Sequence, residues 1–289
     1  MVYGLILLTL ALLVLLVAGH VERELYMLRW FDLANRSGET PPPWTQALFA
    51  DRGRPLRAYL RETLYGILYA VTQGGDILFG WTARRRRPPF DGAAPLVVLI
   101  HGYRARPAHF WLLRWRLRRM APNIVTFAYD GKDPLVPYHL RLRDVVLAAR
   151  RNGAPARTLL IGHSYGGIIA FDYATGCAEP GEMVALAALG APFHGSRLAA
   201  LGFSPLARSM TPSNPRFGAI LAARPDCPFL SLFTRYDQFV IPYTNSEHPA
   251  ADHREIDTCG HAGLYFDRTA WKALRGWLAP SLAASPPPE

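Results

Sequence analysis

Beyond Asp91, short runs of leucine and β-branched side chains alternate with longer amphipathic stretches. Short, wholly apolar runs are what strands buried on both faces of a parallel sheet require, and the intervening periodicity is that of helices covering such a sheet. Strands are predicted at 96–100, 124–129, 158–161, 184–189 and 229–234, with a weaker pattern at 255–258. Helices are predicted over 108–120, 140–151, 165–175 and 269–278. The alternation predicts an α/β domain with a mostly parallel sheet flanked by helices. No internal repeat is visible, and the proline-rich end at 281–289 reads as a disordered tail.

Before Asp91 the pattern differs. Residues 2–19 carry no charge and would form a helix of about 27 Å, close to the ~30 Å hydrocarbon core of a bilayer. The segment 1–20 is therefore read as a single-pass membrane anchor. A cleaved signal peptide is the competing reading, since Val17 and Gly19 suit cleavage positions, but no Lys or Arg precedes the apolar run. A second apolar stretch, 64–81, is interrupted by Gln73, Gly74, Gly75 and Asp76. Those residues make a second span costly and favour a helix lying along the bilayer surface or packed on the following domain. The run Arg84 to Arg87, followed by Pro88 and Pro89, reads as a hinge or a contact with lipid headgroups. The chain thus divides into an anchor, a membrane-proximal helical region with its linker at 21–90, and a domain at 91–280.

A chain of 289 residues holds one such domain rather than two. Its formal charge of +10 is almost all arginine, with lysine only at 132 and 272. Anionic lipid fits that balance, whereas no helix-turn-helix, zinc-finger spacing or aromatic-basic RNA motif is present to suggest nucleic acid. Cys177, Cys227 and Cys259 are odd in number and widely spaced, so they form neither a metal pair nor a disulfide framework.

The chemistry concentrates in a few loops. The run 159–161 enters Gly162-His163-Ser164-Tyr165-Gly166 and passes at once into a helical stretch. Glycines in that pattern permit a tight strand-to-helix turn that exposes the serine at the carboxyl edge of a sheet. Ser164 is accordingly the candidate nucleophile. It requires a base and an orienting carboxylate, expected in the chain order serine, acid, histidine. His261 lies in a glycine-flanked loop before the last helix, and Asp237 lies just past an apolar strand. Asp226 precedes that strand and Asp257 falls within the next, positions that suit the acid less well. The backbone N–H groups of Tyr165 and of Tyr103, which follows the strand-ending His101-Gly102, are the expected oxyanion donors. The His101 ring is read as a brace for its loop and His163 as a packing residue.

HGY at 101–103, GHSYGG at 162–167, GAPFHGS at 190–196, YDQFVIP at 236–242 and CGHAGL at 259–264 together resemble bacterial triacylglycerol lipases and related esterases. The resemblance covers about residues 95–278 and implies the α/β-hydrolase fold. It also implies hydrolysis of carboxylic esters through an acyl-enzyme, with neither metal nor organic cofactor. Phe193 stands where such lipases often carry histidine, and the region before Asp91 has no counterpart in secreted members. The segment 197–226 occupies the interval where the fold inserts a cap, read as a lid or as an ordinary surface helix. Expected partners are an ester or lipid substrate and a membrane, read as a bacterial inner membrane. The side of that membrane facing the domain and the oligomeric state stay open. An acyltransferase, a thioesterase or a lipid-anchor deacylase would use the same triad, and a non-catalytic tethered binding module would require one triad position to be idle.

Overall fold

The computed structural model describes residues 54–79 and 89–283. The expected anchor at 2–19, the arginine run at 84–87 and the proline-rich end at 286–288 lie outside the described residues. Six strands form one sheet: β1 (Leu96–Ile100), β2 (Ile124–Phe127), β3 (Arg157–His163), β4 (Met183–Leu189), β5 (Phe229–Thr234) and β6 (Asp252–Ile256). Their order is β2-β1-β3-β4-β5-β6 and every adjacent pair is parallel. The chain winds outward from β1 to β2, then returns to β3 on the other side. The reversal opens a crevice at the carboxyl ends of β1 and β3, where ligands of open α/β sheets bind.

Alternation along the strands assigns each side chain to one of two cores. Leu96, Val98 and Ile100 of β1 face a core shared with helices α3 (Tyr138–Arg151) and α4 (Tyr165–Gly176). Val97 and Leu99 face the opposite core with α2 (Trp111–Leu117), α7 (Gly263–Phe266) and α8 (Arg268–Ala283). This double burial explains why the runs read as continuous apolar stretches rather than alternating ones.

Several expected boundaries shift for local reasons. The helix expected at 108–120 is a 3-10 turn, Pro107–Phe110, followed by the shorter α2. The last strand runs over Asp252–Ile256 rather than 255–258, with Asp252 to Glu255 exposed at the sheet edge. Charged edge residues gave no apolar signal, and Asp257 therefore follows the strand instead of lying within it. Helix α8 continues to Ala283, so 281–283 are helical rather than tail; Leu282 packs against the core, which favours the extra turn past Pro280.

Helix α1 (Arg54–Phe79) takes in residues 64–79 of the stretch predicted to lie on a membrane or on the domain, and it packs on the domain; 80 and 81 lie outside the described residues. Tyr65, Leu68 and Tyr69 meet the second core, the Tyr65 hydroxyl donates to Asp267 at 3.1 Å, and the Tyr69 ring stacks on His109 at 3.7 Å. Among the described residues no helix is long and apolar enough to cross a membrane. The buried stripe of α1 is Ala58, Glu62, Thr72 and Asp76, while Leu60, Leu64 and Val71 are exposed beside Arg57 and Arg61. The docked stripe of α1 thus mixes Glu62, Thr72 and Asp76 with Tyr65 and Tyr69, while apolar side chains remain on the outer face.

The stretch between β4 and β5 forms an excursion above the sheet. It comprises a 3-10 turn, Arg197–Leu201, then α5 (Pro205–Ser209) and α6 (Arg216–Ala222). Leu206, Phe217 and Ile220 anchor it in the first core, whereas Leu201 and Phe203 are exposed.

Candidate active site

Ser164 joins β3 to α4 with φ 54° and ψ −127°, a left-handed backbone costly for any side-chain-bearing residue. The strain is fixed from both sides. A Cβ on Gly162 would stand 2.3 Å from the Gly166 carbonyl oxygen, and one on Gly166 would stand 2.3 Å from that of Ile100. Only glycines allow α4 to approach β1 and β3 so closely, and this approach lifts Ser164 half-exposed into the crevice. Tyr165 opens α4, where N–H groups have no partner within the helix and the dipole favours negative charge.

Asp237 lies in the loop after β5 and is fully buried. Its Oδ2 sits 2.6 Å from His261 Nδ1, and its Oδ1 accepts the N–H groups of Phe239 and Val240, each at 2.8 Å. The carboxylate is thereby aimed at one edge of the imidazole. The His261 loop is held equally closely. Gln238 Oε1 accepts the His261 N–H at 2.9 Å, the Thr234 hydroxyl donates to the Cys259 carbonyl at 2.5 Å, and His163 Nε2–H donates to the His261 carbonyl at 3.0 Å. His163 does pack, its ring stacking on Tyr265 at 4.0 Å, but it also braces the histidine loop beside Ser164. Sequence reading missed that second role.

The loop after β1 closes the other side. A Cβ on Gly102 would stand 2.9 Å from that of Ser164, so Tyr103 follows within the same crevice. The His101 ring stacks on Tyr129 at 4.5 Å, donates from Nδ1 to the Gly102 carbonyl at 2.9 Å and accepts the Tyr129 N–H at 3.3 Å. Burial pushes His101 down to about 4 and His163 well below its ordinary range, so both stay neutral at physiological pH.

The cap reaches both expected oxyanion residues. The hydroxyls of Tyr103 and Ser204 share a hydrogen bond of 2.7 Å, and Arg216 donates to the Tyr165 hydroxyl at 3.2 Å while pairing with Asp172. At the cap's base, Ser196 donates to the Phe239 carbonyl at 2.6 Å and accepts the Ile241 N–H at 3.0 Å, tying the cap to the Asp237 loop. Phe193 is a core residue, fully buried against Phe171, Phe229 and His248. Cavities of about 390 Å³ beside Tyr165 and Arg216 and about 330 Å³ beneath Arg197 and Phe217 flank the cap; neither is lined by Ser164 or His261. Among the described residues no group of three His, Cys, Asp or Glu could hold a metal.

A further residue comes from far upstream. Glu62 of α1 is buried against the His261 loop and accepts hydrogen bonds from Gly260, Ala262 and Gly263. Burial pushes its carboxyl up to about 7, while hydrogen bonds from Gln238, Ala262 and Gly263 pull the other way. Its two oxygens face four N–H donors and no acceptor, so the geometry holds the carboxylate form against that burial. The available sequence signal was weak: Glu62 and Asp76, the only acids of α1, are spaced to share a face with Tyr65 and Tyr69.

Residues 97–287 match the model of the alpha/beta hydrolase family, and the chain belongs to that family. Among solved structures, the mature lipase BlEst2 of Bacillus licheniformis superposes with a TM-score of 0.53 at 15% identity, covering 69% of this chain and 96% of that one. Est1E from Butyrivibrio proteoclasticus gives 0.50 at 16% identity, covering 67% and 90%. At such identities the likeness is one of fold. No curated protein matches the chain.

Proposed function

We propose that this chain is a membrane-anchored serine hydrolase of carboxylic esters, acyl lipids in particular, with Ser164, His261 and Asp237 as its triad. The observation that carries the reading is the 2.6 Å contact between buried Asp237 and His261, in a loop whose His261 carbonyl is bonded by His163, the neighbour of Ser164 on its strained glycine elbow. In the proposed reaction Ser164 Oγ attacks the ester carbonyl carbon and His261 Nε2 takes its proton. The N–H groups of Tyr165 and Tyr103 receive the charge that develops on the carbonyl oxygen. Collapse breaks the bond to the alcohol, which leaves with the proton from His261. Water then attacks the acyl-enzyme with His261 again as base, releasing the acid and restoring Ser164. Asp237 stays ionised and orients the ring. Another acceptor in place of water would turn the same site into an acyltransferase. Exposed Leu201 and Phe203 on the cap, and exposed Phe239 with its ring 5.2 Å from that of His261, support an acyl substrate and a cap that opens as a lid.

The deciding experiment is labelling with a fluorophosphonate. The parent protein is expected to label and Ser164→Ala is expected not to; equal labelling would remove Ser164 from the mechanism. Short p-nitrophenyl esters should be cleaved at a rate that EDTA leaves unchanged, and a strict metal requirement would contradict the assignment.

Membrane attachment rests on the uncharged run 2–19, and the apolar outer face of α1 flanked by Arg57 and Arg61 supports close approach to lipid. The protein is expected to sediment with membranes and to stay there in high salt, because hydrocarbon burial is not screened. Deleting residues 1–20 should leave only a salt-sensitive association. A mature chain beginning at His20 would instead identify the segment as a cleaved signal.

A further inference from the structure

We infer that Glu62, on the helix preceding the hydrolase domain, is a positioning residue for His261, which makes α1 part of the active site; this rests on the triad proposed above. Four consecutive backbone N–H groups, those of residues 260 to 263, converge on two side chains. Glu62 Oε2 accepts from Gly260 and Gly263, each at 2.9 Å, Glu62 Oε1 accepts from Ala262 at 2.7 Å, and Gln238 Oε1 accepts from His261 at 2.9 Å. The two acceptors are themselves joined, since Gln238 Nε2–H donates to Glu62 Oε1 at 2.5 Å. A run of N–H groups pointing inward forms a concavity that takes an anion, and here the anion is a side chain of the same protein.

The fit leaves little space. A Cβ on Gly260 would stand 2.5 Å from Gln238 Oε1 and 2.7 Å from Glu62 Cδ. The carboxylate therefore fixes the backbone on both sides of His261, while Asp237 fixes its ring. Buried N–H groups without an acceptor would drive the loop to rearrange, and the imidazole would move with it. Small displacements of a catalytic base lower turnover far more than they weaken substrate binding.

The neutral, nearly isosteric Glu62→Gln tests this in the full-length protein. The amide turns one acceptor into a donor that faces other donors. Turnover is measured per active site titrated with fluorophosphonate, so unfolded protein does not enter the result. The expected outcome is a fall in kcat of about 10²-fold with KM within about threefold of the parent. Glu62→Asp keeps the charge but draws it back by one methylene, and should give a smaller loss measured in the same way; it carries the test if the glutamine variant does not accumulate. Tyr65→Phe removes a different docking bond of α1, that to Asp267, and should lower thermal stability while leaving kcat per site unchanged. If both Glu62 variants retain kcat per titrated site within about twofold, or if Tyr65→Phe lowers it as much as they do, Glu62 merely docks the helix and the inference is overturned. A parent protein that does not label would instead refute the triad itself.

Discussion

Asp237→Asn and His261→Ala are each expected to lower kcat on a p-nitrophenyl ester by about 10³- to 10⁴-fold, with folded protein retained. In the proposed triad, removing His261 leaves the Ser164 hydroxyl with no base to take its proton. The asparagine is subtler. Oδ1 of Asp237 already accepts two N–H groups at 2.8 Å, so an amide in its place must keep its oxygen there and turn its NH2 toward His261. The imidazole then presents the wrong tautomer to Ser164. Steady-state kinetics with circular dichroism of each variant checks this. Near-parental turnover in Asp237→Asn would move the acid elsewhere, first to Asp257 just beyond β6.

Gly166→Ala is expected to cost about 3 kcal/mol or more in unfolding free energy and to abolish fluorophosphonate labelling. The added methyl would meet the carbonyl oxygens of Ile100 and His101 at 2.3 and 2.5 Å, and backbone cannot swing aside as a side chain can. Relief requires α4 to retreat from β1, and α4 carries both Ser164's exit from the strand and the N–H of Tyr165. Chemical denaturation and labelling together test the claim; a variant that labels at the parental rate would show that the elbow tolerates a wider separation.

What could be read from the sequence followed the strength of local signals. β1, β3, β4 and β5 are buried on both faces, so their apolar runs stood out, and the glycines around Ser164 marked the turn between β3 and α4. Asp237 and His261, the proposed acid and base, were singled out because each sits in a short loop after a strand, and the structure places their side chains 2.6 Å apart. β6 was placed three residues late because its exposed positions are charged. Glu62 was only faintly legible. Its partners lie about two hundred positions away, and the apolar run at 64–81 did not tell which face of the helix would be buried. Only tertiary contact reveals that Glu62 is buried together with Tyr65 and Tyr69. The brace supplied by His163 was similarly hidden, since a histidine beside the nucleophile reads equally well as filler until the backbone it bonds to is known.

The last strand bears on how the molecule behaves in a crowded compartment. An edge strand offers unpaired N–H and carbonyl groups as a template for a neighbouring chain. In β6 that edge carries Asp252, His253, Arg254 and Glu255 in succession, with Glu255 paired to Arg235 and Asp252 reached by the Trp277 indole at 3.4 Å. Any chain adding to the sheet would have to bury or displace these charges. The same residues that hid the strand from its sequence pattern act as gatekeepers against fibrillar growth, and an uncharged β6 would turn the sheet into a seed for aggregation.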